Sequence, residues 1–373
     1  MRDFFLIFSF SLALAHSLAV DNLEISLIGI GVSSFIDAVF VIYSIFSIRS
    51  VSIQTLLLSI LLITFGLLTI TLSSTVDVPL YESLRAVKWL FYLVVLLNLR
   101  NGLHVSDRFY IIFSKISFGL IFVKYLWDKL SLGLLARPSL VYENNFETLF
   151  LTILFIGVIA ISNQNPDINI KIWLGFLLII GFLSLSRWTI LSTFGLTLFI
   201  FRHSLTIRSW KIRLPILVSA IISLILTLGL RSQPIQDIDR VKFLKVLVKE
   251  IDAESLLVWL MRPHLVLRAM SLDSCMALKF YQDLFAGEGS NSCYSVILHS
   301  FILRILFDFG PIILIIYFAI FYKLIRPILG RELAVVSVVI VFLNGLSVSS
   351  MNTGFGTLPF ALIILNRSSL RGR

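Results

Sequence analysis

The sequence predicts an all-α polytopic membrane protein of about 12 transmembrane helices. Of its 373 residues, 58% are hydrophobic and only 14% are charged, and the mean hydropathy is +0.98. Soluble domains do not have this composition. Apolar runs of about 17 to 25 residues follow one another, and each is long enough to cross roughly 30 Å of hydrocarbon as a helix. The period-two alternation typical of a membrane-spanning barrel is absent.

Nine apolar runs precede the longest hydrophilic stretch of the chain, and three follow it. The predicted spans are Phe4–Val20, Ile25–Ser47, Ile53–Leu72, Leu84–Asn98, Phe109–Leu126, Asn145–Ile161, Ile170–Leu185, Thr189–Phe201, Leu214–Leu230, Pro311–Ile325, Leu333–Val348 and Phe355–Leu365. The first run has an alternative interpretation as a signal peptide, because Arg2 precedes it and Ala13-Leu14-Ala15 lies near its end.

The chain therefore divides into three parts. Residues 1–230 carry transmembrane helices 1 to 9, residues 231–298 form a large, partly helical periplasmic loop, and residues 299–373 carry helices 10 to 12 and a cytoplasmic tail. Fifteen Lys and Arg residues lie at the predicted inner connections, against six at the outer ones: Arg85, Lys88, Lys124, Lys129, Arg137 and Arg187. This bias places both termini inside and the large loop outside.

The net charge of +10 does not indicate a nucleic-acid partner, because the basic residues lie in short connections where topology explains them. With five His, two Cys and no HExxH, CxxC or phosphate-binding glycine motif, no metal and no cofactor are predicted. Asp237-Ile238-Asp239 has an Asp-x-Asp form, but a solvated turn is the better interpretation. Cys275 and Cys293 form either a disulfide or two free thiols.

One helix is predicted inside the large loop. Val241, Leu244 and Val248 share one face of it, and Lys242, Lys245 and Lys249 share another. Such a helix either lies on lipid headgroups or packs within the loop, and the pattern does not separate these alternatives.

Arginines provide the first candidates for a functional site. Arg187 stands between two apolar runs with almost no loop to hold it, and an arginine at that depth indicates function unless its side chain reaches the outer headgroups. Arg262 and Arg268 lie in the large loop, and a guanidinium group can hold phosphate in a bidentate grip. The alternative for both is an ordinary loop arginine, either solvated or in a salt bridge.

Further candidates lie where helices meet the outer surface. His299 can accept a proton from a sugar hydroxyl at neutral pH, although a lone histidine is more often structural. Arg304 is four residues from Asp308, and this spacing predicts mutual neutralisation. Arg137, Glu143 and Asn144 cluster before a helix, where they either bind sugar hydroxyls or cap the helix.

Four motifs in this order resemble the O-antigen polymerase and O-antigen ligase superfamily. They are Arg137-Pro138-Ser139 with Glu143-Asn144-Asn145-Phe146, Leu185-Ser186-Arg187-Trp188, Arg268 with Gly287-Glu288-Gly289, and His299-Ser300 with Asp308-Phe309-Gly310. The resemblance covers about residues 137 to 325. Ser300 and Pro311 depart from the usual family pattern.

This resemblance implies a membrane glycosyltransferase that uses a sugar chain on undecaprenyl diphosphate, without metal or nucleotide. Arg187, Arg268 and His299 would be catalytic, with Arg262 and Arg137 as supporting contacts to phosphate or glycan. Glu143, Asn144 and Arg304 are further candidate substrate contacts, selected from their positions in the sequence. A chain-length regulator and a flippase would be partners in the bacterial inner membrane. The implied function is polysaccharide polymerisation, with O-antigen ligation to lipid A core as the alternative. From a different class, a polysaccharide flippase or other transporter remains an alternative.

Overall fold

The computed structural model describes residues 37–38, 40, 52–99, 105–134, 136–140, 144–163, 165, 167–201, 218, 239–252, 259–260, 265–281 and 293–366. Three of the predicted spans, Phe4–Val20, Ile25–Ser47 and Leu214–Leu230, lie wholly or almost wholly outside these residues. The described part of the chain is helical and contains no strand.

Ten α-helices are used below, in chain order from α1 to α10. They are Ile53–Ser74, Leu80–Leu99, Asp107–Leu132, Asn144–Ser162, Ile170–Ser184, Arg187–Phe201, Asp239–Asp252, Leu272–Ala277, Phe301–Ser347 and Gly354–Leu365. Two short 3-10 turns, Ser295–Leu298 and Ser350–Asn352, precede α9 and α10.

Four of these helices, α1, α3, α4 and α9, are long and apolar enough to cross a membrane, by length and composition. Ile170–Ser184, Trp188–Ile200 and Gly354–Leu365 are shorter apolar helices. The all-helical architecture is therefore confirmed for the described residues, and four of their helices are candidate membrane spans. The full set of about 12 crossings remains a prediction.

Helix α9 is divided into three arms. Gly310 (φ 77°, ψ 175°) and Gly330 (φ 77°, ψ 170°) interrupt it, in a backbone region that glycine tolerates. The rings of Phe318 and Phe342 lie 5.8 Å apart, although a straight helix would separate these residues by about 36 Å. The chain thus reverses at Gly330. The rings of Phe301 and Tyr317, 5.1 Å apart, show the same at Gly310.

The arms at 311–329 and 331–347 match the predicted spans Pro311–Ile325 and Leu333–Val348. The arm at 301–309 was not predicted as a separate element. The chain turns back at Gly310-Pro311, so this short arm connects His299 to the span that begins at Pro311.

Helix α4 is the centre of the bundle. In its apolar stretch 94% of the residues are buried, against 22% in α1, which lies at the edge. Gly157 allows close packing on α3, because a Cβ there would lie 2.0 Å from the Tyr110 hydroxyl. That hydroxyl donates to the Leu154 carbonyl at 3.0 Å.

Contacts between connections define two ends of the bundle. At the end called the loop end below, Leu267 N–H donates to Ser73 in the last turn of α1, and Asn144 donates to the carbonyl of Ser184, the last residue of α5. At the opposite end, Val105 N–H donates to the Leu365 carbonyl at 2.8 Å, and the Asn366 amide donates to Asp107 at 2.9 Å. This arrangement agrees with the predicted alternation of the connections.

The large loop builds a small lobe against the start of α9. Phe243, Val246 and Leu247 of α7 are buried in its core with Met270, Leu278, Leu298 and Phe307. Cys275 and Cys293 form a disulfide, so the alternative of two free thiols is wrong.

The apolar face predicted for α7 is not the buried one. Leu244 and Val248 are exposed by 51% and 47%, whereas Phe243, Val246 and Leu247 are buried. The helix therefore packs within the lobe through a face that includes Phe243, and the Leu244 face stays outside.

Candidate functional site

Arg187 is the first residue of α6, at the loop end. The preceding Leu185 has left-handed backbone angles (φ 50°, ψ 24°) that turn the chain sharply out of α5. The Ser186 hydroxyl then donates to Asn145 Oδ1 at 2.5 Å. The backbone of Arg187 is thereby fixed beside the N-terminal turn of α4.

His299 lies between the 3-10 turn Ser295–Leu298 and α9. Its backbone is left-handed (φ 43°, ψ 28°), an uncommon conformation for a residue with a side chain. Its ring centroid lies 6.3 Å from that of Phe146. His299 and the backbone of Arg187 therefore flank the same turn of α4, from different helices.

Arg268 belongs to an irregular segment, 265–270, that is tied down on both sides. Leu267 N–H donates to Ser73 Oγ at 2.9 Å, and Met270 N–H donates to the Cys293 carbonyl at 2.8 Å. The Arg268 guanidinium carbon lies 4.7 Å from the centroid of the Phe307 ring. This places a half-buried cation against the first arm of α9.

Two carboxylates act on the charge of Arg268. Asp308 attracts it from α9, and Glu250 attracts it from α7. Burial of Glu250 acts to raise its pKa, but hydrogen bonds from Ser271 and Ser274 and the charge of Arg268 outweigh burial and lower that pKa. The Ser271 hydroxyl donates to Glu250 Oε1 at 2.5 Å. Arg268 is therefore next to a carboxylate that stays ionised at neutral pH.

Arg304 forms a second cationic position on the same arm. It is 7% exposed, and its Nη2 donates to the Arg85 carbonyl at 3.2 Å. Its Nε has no hydrogen-bond partner among the residues that the structure describes. Arg85 itself lies 3.7 Å from Glu82 and 4.5 Å from the centroid of the Tyr81 ring.

The predicted pairing of Arg304 with Asp308 takes the form of an electrostatic attraction, and the Asp308 carboxylate also makes a contact that was not predicted. Asp308 attracts Arg304 electrostatically, but its hydrogen bond comes from the Ser295 hydroxyl at 2.5 Å. Ser295 is four residues before His299 in the chain. The carboxylate of Asp308 thus links the cationic arm of α9 to the turn that carries the histidine.

The substrate contacts predicted before α4 have different surroundings in the structure. Asn144 is buried and donates its amide to the Ser184 carbonyl at 2.7 Å, so it joins α4 to the end of α5. Arg137 is exposed on the connection before α4. That connection is held by Lys129, which donates to the carbonyls of Leu134 and Ala136 at 2.7 and 2.6 Å. Glu143 and Arg262 lie outside the described residues.

Three residues that the sequence analysis did not select belong to this end. Glu82 and Arg85 lie beside Arg304, as described above. Glu147 is fully buried and accepts hydrogen bonds from Leu140 N–H at 2.7 Å and the Tyr125 hydroxyl at 2.8 Å. The spacing Asn144-x-x-Glu147 is typical of a helix start, and this pattern could have identified Glu147 from the sequence.

The cavity described next and a search for metal ligands among the described residues add no residue to this candidate site. One cavity of about 500 Å³ lies between α3 and α5 towards the opposite end, lined by Lys115, Asp167 and Trp173 among others, and it contains none of the predicted site residues. Among the described residues, no three His, Cys, Asp or Glu side chains lie together as a metal site would require.

The candidate site therefore consists of two neighbouring groups at the loop end. His299 and the start of α6 flank the first turn of α4, and Arg268, Arg304 and Asp308 surround the first arm of α9. Such a site offers cations for a phosphate and a histidine for a proton. Comparison with protein-family models, curated proteins and solved structures gives no match to this chain.

Proposed function

We propose that this protein is a membrane glycosyltransferase that polymerises lipid-linked oligosaccharide repeat units. The observation that carries the proposal is the placement of two arginines at the first arm of α9, which begins two residues after His299: Arg304 lies on this arm, and Arg268 of segment 265–270 lies against its Phe307. Two cations and a potential base thus lie at one end of an apolar bundle. A substrate with a phosphate head and a lipid tail suits that combination.

The reaction transfers a glycan from a polyprenyl diphosphate to a sugar hydroxyl. His299 takes the hydroxyl proton while that oxygen forms a bond to the anomeric carbon of the donor glycan. The bond between this carbon and the diphosphate oxygen breaks, and the polyprenyl diphosphate leaves with the electron pair. Its additional negative charge is stabilised by Arg268 and Arg304, with Arg187 as a further cation.

The electrostatic setting places two carboxylates within reach of the charge of Arg268. The Asp308 carboxylate accepts from Ser295, Glu250 accepts from Ser271, and the charge of Arg268 acts on both. A guanidinium group has five N–H donors, and a diphosphate supplies several acceptors in the matching plane.

The disulfide supports an extracytoplasmic location for this end. Disulfides persist in oxidising compartments and are rare in the cytosol. Cys275–Cys293 lies in the lobe that holds Arg268, and the distribution of Lys and Arg favours an outside location for the same lobe. We therefore propose the bacterial inner membrane, with the site on its periplasmic face.

Deletion of the gene in a strain that makes surface polysaccharide tests the function. We expect final acceptors that carry a single repeat unit, because transfer between repeats is lost. Full-length chains stranded on the lipid carrier would instead show a ligase. Lipid-linked units retained on the cytoplasmic leaflet would show a transporter, and either result would overturn the proposal.

A further inference from the structure

The edge of the bundle contains an apolar groove between α1 and α2. Its volume is about 330 Å³, and the described residues that line it are all apolar. Leu62, Gly66 and Ile70 contribute the α1 side, and Leu90, Phe91 and Val94 contribute most of the α2 side. From Leu62 to Ile70 the groove extends about 12 Å along the helix axis.

The groove leads to the candidate site at the loop end. Ile70 lies one turn before Ser73, whose hydroxyl accepts the hydrogen bond from Leu267 N–H. The next residue in that segment is Arg268, which lies against Phe307 of α9. Phe65 of α1 also contacts α9, with its ring centroid 5.7 Å from that of Phe309. The apolar groove thus runs along the bundle edge towards the segment that carries Arg268.

Gly66 sets the depth of the groove. A Cβ at this position would lie 3.5 Å from Leu90 Cδ1 and 4.0 Å from Val87 Cβ, which is ordinary contact. A methyl group therefore fits, whereas a large side chain must occupy the groove itself. Glycine here keeps open the space between two helices that otherwise pack along their length.

We propose that this groove binds the first part of the polyprenyl chain of the donor, an inference that rests on the proposed function. The amphiphile matches the surface at both ends. Its diphosphate is anionic where Arg268 and Arg304 are placed, and its tail is apolar where the described lining of the groove is apolar. The groove is shorter than a long polyprenyl chain, so the remainder of the tail lies among membrane lipids.

Photo-crosslinking tests the location of the tail. The full-length wild-type protein in lipid nanodiscs is irradiated with a polyprenyl diphosphate that carries a benzophenone on an isoprene unit near the diphosphate. We expect crosslinked peptides from residues 62–70 and 87–95. Crosslinks confined to other helices would overturn the inference. This readout requires binding and not turnover, so it remains valid even if the protein proves not to be a polymerase.

A pair of variants tests the groove by function. Gly66→Phe fills it, whereas Leu68→Phe adds a ring on another, exposed face of the same helix. We expect Gly66→Phe to raise the KM for a long-chain donor about tenfold or more, with little change for a short-chain donor, and Leu68→Phe to change neither.

An equal loss with both donors would contradict a tail-binding groove, because it would indicate damage unrelated to the chain. Failure of the wild-type protein to extend any donor, together with crosslinks in the groove, would contradict the proposed function and leave the lipid site in place. The two proposals therefore fail separately.

Discussion

The start of α4 and the first arm of α9 are both buried and polar, but their side chains bind different partners. At α4, Asn144 bonds the Ser184 carbonyl, Asn145 accepts from Ser186, and Glu147 accepts from Leu140 and Tyr125. On α9, Arg304 gives one donor to a carbonyl, and Arg268 lies over a ring beside two carboxylates held by serines. The first region joins helices, and the second concentrates charge.

This difference changes the assignment of the predicted substrate contacts. Asn144 was a candidate for sugar hydroxyls or for a helix cap, but its amide donates to the carbonyl at the end of α5, and a structural contact between α4 and α5 is the better interpretation. Arg268 and Arg304 keep their place as phosphate contacts in the proposal. Substitutions in the two regions are therefore expected to affect different measurements, stability for α4 and turnover for α9.

The largest effect is expected from Arg268→Ala. Loss of the cation that faces the leaving diphosphate should lower the rate of chain growth about 10²- to 10³-fold, as for other preorganised charge-stabilising groups. Arg326→Ala is the matched control, because Arg326 is an exposed arginine near the reversal at Gly330. Initial rates of product formation by equal amounts of folded protein provide the measurement. Similar rates for both variants would remove Arg268 from the site.

The second-largest effect is expected from removal of the disulfide. Cys275 and Cys293 are separated by 18 residues, and a loop of that size predicts a loss of about 3 kcal/mol for Cys275→Ser with Cys293→Ser. The lobe that fixes Arg268 should loosen, because Met270 N–H bonds the Cys293 carbonyl. Limited proteolysis between residues 239 and 298 measures this. Cleavage as slow as in the wild type would show that the lobe does not depend on the disulfide.

Glu147→Gln should be somewhat less damaging and should affect stability alone. The amide retains one acceptor oxygen for Leu140 or Tyr125, while the charge-assisted bond is lost, for a cost of about 1.5 to 3 kcal/mol. Denaturation in detergent measures the change. Turnover per folded molecule should remain close to that of the wild type. A large loss of turnover with unchanged stability would reverse the distinction between the α4 and α9 regions.

The smallest effect is expected for the dependence of stability on pH that Glu250 causes. Because the pKa of Glu250 is below its ordinary value of 4.5 in the folded protein, its stabilising contribution is present above pH 4.5 and is lost as the pH falls through the lowered pKa. Hydrogen exchange of α7 between pH 3 and 6 should therefore show opening at the acidic end. Glu250→Gln should remove this pH dependence, and an unchanged profile in that variant would exclude Glu250 as its source.

Sequence reasoning located most helices because apolar run length alone selects them. The break at Gly330 lies in the connection predicted between Pro311–Ile325 and Leu333–Val348, whereas the reversal at Gly310 was not predicted. The packing of α7 was not resolved by its pattern, because Phe243, Val246 and Leu247 form a second apolar face beside Val241, Leu244 and Val248. Only the position of the lobe core decides between two apolar faces of one helix.

The candidate site was harder to predict from the sequence. Arg85 and Glu82 were missed, because nothing local in the sequence indicates that the start of α2 meets Arg304, 219 residues further along the chain. The pairing of Cys275 with Cys293 also depended on a long-range fact, the approach of their Cα atoms to 5.8 Å. Residues whose roles depend on the meeting of distant segments are the ones that sequence patterns could not assign.

Chain growth by the purified protein is the decisive measurement. The wild-type protein in lipid bilayers is supplied with lipid-linked repeat units in the presence of a chelator, and products are separated by length. We predict a ladder of products longer than one repeat unit, formed without added metal or nucleotide. Repeat units that stay single, while the folded protein still binds the lipid-linked donor, would contradict the assignment of this protein as a polymerase.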